Sequence, residues 1–257
     1  MEHDHHHFKY SPSVWIVPTI FLFTIWFVFY IDNSLNLNLA VHGIFPRTLL
    51  GLQGIFFSPF LHGNFSHIAN NSIPLFILTA ALVYFYRNIS LKILFYGILL
   101  SGFLTWVIGR DSYHIGASGL IYVLVSFIFF KGLMTKYYRL IALSLMVVSI
   151  YGGMIWYVFP SPEIPGGIRI SWEGHLAGLI TGFVFAIFFK TPDYVKAIRY
   201  DWEKPDFNPE EDMFMKHFDE NGNFVNTPEP EEEENIPLEI KYIYEYKEKD
   251  NSTSTKE

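Results

Sequence analysis

Gly116-Ala117-Ser118-Gly119 opens a run that continues without a charge to Phe130, and Gly174-His175-Leu176-Ala177-Gly178 opens another that continues to Phe189. Runs of this length and composition read as membrane-spanning helices, so a serine and a histidine stand inside a bilayer. Polar and ionisable groups are costly there and face a protein interior or a water-filled cavity, which marks them as functional. The chemistry a serine and a histidine share is nucleophilic catalysis, with the imidazole as base for the hydroxyl. Hydrolysis of a peptide bond is the leading expectation.

Outward from these two runs, apolar segments recur at roughly 14–31, 67–86, 93–109, 115–133, 140–159 and 174–190, six in all. With 51% of residues apolar and 26 Phe, the chain reads as an all-α, polytopic membrane protein. A polar loop rather than a small-residue cleavage site follows the first segment, so a retained helix is expected there and not a signal peptide. The absence of cysteine excludes disulfides, thiol catalysis and cysteine-ligated metals.

Charge is distributed unevenly. Residues 191–257 hold 19 acidic and 8 basic residues, which leaves 6 acidic and 10 basic in residues 1–190. Three regions are therefore expected: a cytoplasmic N-terminus over 1–13, a six-helix core over 14–190, and an acidic, largely disordered, soluble cytoplasmic tail over 191–257. Within the tail, Ile236 to Tyr246 is a strand-like exception and a candidate docking sequence for a cytoplasmic partner.

Lys and Arg are retained on the cytoplasmic side of spanning helices. With six helices the termini share a side, which collects Lys9, Arg87, Lys92, Lys131, Lys136, Arg139, Lys190, Lys196 and Arg199 against Arg47, Arg110 and Arg169, nine to three for cytoplasmic termini. Ser118 and His175 then both lie near the outer face. The loop over 32–66 is long and carries apolar clusters, which suits either a segment in the outer interface or packing on the helix ends.

The second helix is expected to open with His62-Gly63-Asn64-Phe65-Ser66-His67-Ile68-Ala69-Asn70-Asn71. Residues four apart share a helical face, so His67 and Asn71 point the same way. Each can donate a hydrogen bond to the oxygen of a tetrahedral intermediate. Interfacial histidines and an interhelical Asn71 contact fit this segment equally well, and metal binding by His62 and His67 is disfavoured because no third ligand accompanies them. Near the start of its helix the Ser118 N–H lacks an intrahelical partner and is a further candidate donor. Tyr122, one turn on, is placed to pack on a neighbouring imidazole. Gly116, Gly119, Gly174, Gly178 and Gly182 are small residues that let helices approach, a device that is common in membrane bundles and weak evidence when taken singly.

Taken in order, His62-x-x-x-x-His67-x-x-x-Asn71, Gly116-x-Ser118-Gly119 with Tyr122, and His175-x-x-Gly178-x-x-x-Gly182 resemble the rhomboid intramembrane serine proteases. The resemblance covers about residues 14–190. It implies a six-helix transmembrane bundle of rhomboid type with a water-filled site opening outward. It also implies Ser118 as nucleophile, His175 as general base, His67, Asn71 and the Ser118 amide as oxyanion donors, and Tyr122 as the residue packing on His175. Expected partners are the lipid bilayer and single-span membrane substrates with helix-weakening residues near the outer face; neither nucleic acid nor a cofactor or metal is expected. A bacterial inner membrane is the expected location.

The chain departs from the family pattern in its first loop, where no Trp-Arg pair is found, and in its acidic tail. Glu173, two residues from His175, is expected on another face at the interface, and no acid completes the dyad. Trp156, Tyr157 and the Pro/Gly-rich loop from Phe159 to Trp172 are candidates for gating and capping the site. The competing expectation is a non-proteolytic rhomboid-like protein that grips transmembrane helices. A transporter ranks lower, since no internal repeat is found.

Overall fold

Asn64 fixes where the second long helix begins: its side chain accepts the His67 N–H at 2.8 Å, an N-cap that starts the helix at Phe65. His62 therefore stands ahead of that helix and not in its first turn, a correction to the expected boundary. The computed structural model describes residues 10–150, 156–160, 170–190, 200, 202, 204–208, 212, 214–219 and 221–225. Within these, seven α-helices form: α1 (Ser13–Leu35), the single turn α2 (Gly54–Phe57), α3 (Phe65–Phe85), α4 (Arg87–Ile108), α5 (Ser118–Met134), α6 (Tyr138–Ile150) and α7 (Trp172–Phe188). No strand forms among the described residues, only isolated bridges.

Each of the six expected segments overlaps an α-helix, although α4 begins at Arg87 rather than near 93 and α6 is described only to Ile150, with a separate turn at Trp156–Val158. Of these helices, α1, α3 and α4 are long and apolar enough to cross a membrane. The others are equally apolar but shorter, at 17 residues for α5, 13 for α6 and 17 for α7. α5 is apolar all round, the pattern of a helix buried on every side. Accordingly α3, α4, α6 and α7 pack around it, with Val123, Leu124, Phe127 and Ile128 fully buried. α1 packs on α3 and leaves Trp15, Phe23, Phe27 and Tyr30 exposed, the character of a lipid-facing surface.

Lipid tails are as apolar as leucine, so helix association in a bilayer rests on close packing and interhelical hydrogen bonds. The α5–α7 seam shows both. A Cβ on Gly178 would lie 2.2 Å from the Gly119 carbonyl oxygen, and one on Gly182 would lie 2.3 Å from that of Val123, so the two backbones touch. Ser126 Oγ donates to the Leu179 carbonyl at 2.6 Å.

At the far end of the seam the buried Lys131 donates from Nζ to the carbonyls of Ala186 (3.0 Å) and Phe189 (2.7 Å). Its charge thus satisfies the orphan carbonyls of α7 and offsets the negative end of that helix. Lys131→Met keeps the chain length and removes the donor. It is expected to cost about 1–3 kcal/mol of stability, read as a lower thermal midpoint in detergent, and an unchanged midpoint would show that these carbonyls find another partner.

The loop over 36–64 is folded rather than loose. Short turns at Leu39–His42, Leu50–Gln53 and Ser58–Phe60 flank α2, and Gly54 approaches Gly43 so closely that a Cβ there would lie 2.1 Å from the Gly43 carbonyl carbon. α2 packs on α4 with Ile55 against Gly102.

The chain divides into two compact units, residues 1–196 and 197–257. In the second, Phe218 bridges Phe224 around a turn in which the Asp219 carboxylate accepts the N–H groups of Asn221 and Asn223. The docking candidate Ile236 to Tyr246 lies outside the described residues, as does the loop over 161–169.

Candidate active site

Ser118 begins α5 because Gly116, two residues earlier, turns the chain at φ +108°, in the left-handed region that glycine alone adopts without strain. Its N–H bonds to the Ser58 carbonyl at 2.8 Å, and a Cβ at Gly116 would lie 2.5 Å from His67 Nε2 and 3.5 Å from Asn71 Nδ2. The turn thus brings the start of α5 against the polar face of α3.

His175 Nε2 lies 2.9 Å from Ser118 Oγ, and His175 Nδ1 lies 2.9 Å from the Tyr157 carbonyl oxygen. A carbonyl only accepts, so the network assigns the proton to Nδ1 and leaves Nε2 to accept the serine hydroxyl. The Tyr122 ring stacks on the imidazole at 4.3 Å and 16°. Together the carbonyl and the stacked ring fix the tautomer and plane of the imidazole, a task that an aspartate performs in a three-residue serine–histidine triad.

His62 is buried, and its Nε2 accepts from Asn71 Nδ2 (3.1 Å) and from the Ala117 N–H (3.4 Å). Two donors converging on one ring nitrogen fix His62 as neutral, with its proton on Nδ1. Burial, with a smaller push from His67, lowers its pKa to about 3, against a pull upward from the Phe60 carbonyl. Asn71 has a second amide N–H beyond the one held by His62. The His62 and His67 rings meet edge to face at 5.0 Å. Ser118, His175, His67, Asn71, Tyr122, Gly116 and His62 therefore form one cluster, with Gly119, Gly178 and Gly182 along the seam beneath. Gly119 differs from the other two: a Cβ there meets only the Gly174 carbonyl, at 3.5 Å, so space does not require glycine.

Glu173, two residues before His175, lies on a different face of α7, and that face is covered by protein. Its side chain is buried, and Oε1 accepts the Arg110 N–H at 3.2 Å and pairs with the Arg110 guanidinium at 3.5 Å. The signal for Ser171, which caps α7 by accepting the Gly174 N–H at 3.2 Å, was present as a serine just before an apolar run. Nothing in residue type announces the Tyr157 carbonyl, because any residue at that position supplies one.

A tryptophan and an arginine do secure the first loop, drawn from two segments. Trp106 Nε1 on α4 donates to the Thr48 carbonyl at 2.9 Å, while the Arg47 N–H donates to the Trp106 carbonyl at 3.1 Å. The Arg47 guanidinium donates to the Gly109 carbonyl at 2.6 Å and pairs with Asp111. A cavity of about 30 Å³ beside Ser118, lined in part by Ser101, Thr105, His114 and Ser171, is large enough to hold a water molecule.

The Rhomboid domain family model matches residues 51–191. An uncharacterized protein of Mycobacterium tuberculosis is 34% identical over 191 residues, covering 70% of this chain and 78% of that protein. An uncharacterized protein of Mycobacterium leprae is 33% identical over 191 residues, covering 70% and 74%. A protein of Acanthamoeba polyphaga mimivirus that is named as a rhomboid protein is 30% identical over 166 residues, covering 56% of this chain and 89% of its own.

Proposed function

The chain belongs to the rhomboid family and is an integral membrane protein, and on that basis we propose that it is an intramembrane serine endopeptidase acting through Ser118 and His175. The observation that carries the reading is the 2.9 Å contact between His175 Nε2 and Ser118 Oγ in a histidine whose other nitrogen is committed to a carbonyl. In this reading α1 and α3 to α7 are the six spans, the termini are cytoplasmic, and the site opens to the outer side. α5 is about 25 Å long at 1.5 Å per residue, some 5 Å short of a ~30 Å hydrocarbon core. Its Ser118 end then lies below the membrane surface, where water enters only through the bundle.

His175 takes the Ser118 proton as Oγ attacks the scissile carbonyl. The resulting oxyanion is held by the Ser118 amide, the second Asn71 N–H and His67. His175 next protonates the leaving amine, and water, deprotonated by the same imidazole, releases the acyl group and regenerates the hydroxyl. Because an intact helix hides its carbonyls, the substrate is a transmembrane segment with helix-weakening residues near the outer face.

The test is covalent. A fluorophosphonate should label the detergent-solubilised full chain on Ser118, mapped by mass spectrometry, and should leave Ser118→Ala unlabelled. A wild-type chain that is folded yet unlabelled would overturn the protease reading in favour of a non-proteolytic relative that binds transmembrane helices.

A further inference from the structure

His114 stands four residues before Ser118, and Ser171 stands four before His175. The two meet at 2.6 Å between His114 Nδ1 and Ser171 Oγ. The same two segments are therefore joined twice by a histidine and a serine, 57 residues apart in each case, with the histidine supplied once by each segment. We propose that the His114–Ser171 pair is a positioning clamp, which sets the register of α7 against the start of α5 and so holds His175 on Ser118. The clamp rests on the protease reading for its effect on turnover and on geometry alone for its effect on His175.

Hydrogen-bond accounting makes the clamp directional. His114 Nε2 lies 3.0 Å from the Arg110 carbonyl, which only accepts, so the ring's proton is on Nε2. Nδ1 then accepts the Ser171 O–H, and the Ser171 oxygen in turn accepts the Gly174 N–H. One chain of donors thus runs from the first turn of α7 through Ser171 and His114 to the loop between α4 and α5. His114 is itself fixed, since its backbone exchanges hydrogen bonds with Ile44 (3.0 and 2.8 Å) and its side chain is buried. A Cβ on Gly109 would lie 2.9 Å from His114 Nε2, which shows how closely the loop wraps the ring. The Arg110–Glu173 pair ties the same loop to α7 one step further on. The Ser171 carbonyl also accepts the His175 N–H at 3.2 Å, so the clamped residue is bonded to the catalytic base through the first turn.

The glycine seam already fixes the bodies of α5 and α7 below the dyad; the clamp adds a joint about one turn above it, so that the Ser118–His175 contact is held from both sides. Displacement of a reacting group by about 1 Å costs on the order of 10²-fold in rate. His114→Phe keeps the Ser171 cap and removes the clamp, Ser171→Ala removes both, and Ser171→Thr keeps the hydroxyl.

Expected are a 10- to 100-fold fall in kcat for His114→Phe and for Ser171→Ala, with KM within about twofold, and recovery of most of the lost turnover in Ser171→Thr. The double variant should be no slower than the slower single, because the two side chains act as one unit. The readout independent of activity is the ¹⁵N–¹H resonance of His175 Nδ1 in the histidine-labelled full chain, recorded in a Ser118→Ala background. It should move in His114→Phe and return toward its original position in Ser171→Thr relative to Ser171→Ala. An unmoved His175 resonance in His114→Phe, or a loss of turnover equal to the loss of folded protein, overturns the clamp. A moved resonance in a chain whose wild type neither cleaves nor labels overturns the protease reading and leaves the clamp standing.

Discussion

His175→Ala is expected to reduce cleavage of a model transmembrane substrate by about 10⁴-fold or more, to the level of Ser118→Ala, since loss of either member of a serine–histidine unit removes nearly all of its advantage. The geometry makes this the largest single effect available. The only base within reach of Ser118 Oγ among the described contacts is His175 Nε2, at 2.9 Å, and the other ring nitrogen faces the Tyr157 carbonyl rather than a described carboxylate. Without the imidazole the hydroxyl must lose its proton to water, a far weaker base. The Ser118→Ala/His175→Ala double variant should therefore be no slower than either single. Cleavage rates in detergent, corrected for folded protein by size-exclusion profile and thermal midpoint, provide the check. A folded His175→Ala chain retaining a hundredth of wild-type turnover would mean that another base serves Ser118.

What could be read from residues alone was the part governed by local periodicity. Spacing of four put Tyr122 on the face of Ser118 and Asn71 on the face of His67, and in each case the helix delivers that geometry: Tyr122 stacks on His175, and Asn71 and His67 meet at Gly116. The glycine seam was legible for the same reason, at Gly178 and Gly182. Features that depend on chain reversal were not. The helix boundary moved from His62 to Phe65 because the Asn64 side chain captures the His67 N–H, a competition between cap and helix that apolar periodicity does not weigh. The partner of Glu173 was not legible either, because the loop after α4 folds over its face and supplies Arg110. The first loop lacked an adjacent tryptophan and arginine, but Trp106 and Arg47 converge from residues 59 apart. His175 gains its orienting acceptor from a backbone carbonyl at Tyr157, to which side-chain identity gives no clue.

Gly178→Val is the second large effect expected, and it tests whether the dyad depends on how closely α5 and α7 approach. The added Cβ would lie 2.2 Å from the Gly119 carbonyl oxygen and 2.8 Å from Tyr122 Cβ. Neither neighbour is the free end of a flexible side chain. The helices must separate at a point less than one turn from His175, so both the Ser118 contact and the Tyr122 stack are disturbed. Overpacking typically costs about 1–3 kcal/mol, and a shift near 1 Å at the base costs on the order of 10²-fold in rate. The variant should accordingly show a lowered thermal midpoint and, in its folded fraction, at least about 100-fold slower cleavage. Gly119→Ala provides the contrast, because its Cβ meets only the Gly174 carbonyl at 3.5 Å, an ordinary contact. It should fold like wild type and lose less than about tenfold in rate. Equal damage from the two substitutions would mean that glycine is needed around Ser118 for backbone freedom rather than for helix approach, and the account of the seam given by the Gly178 contact distances would fail.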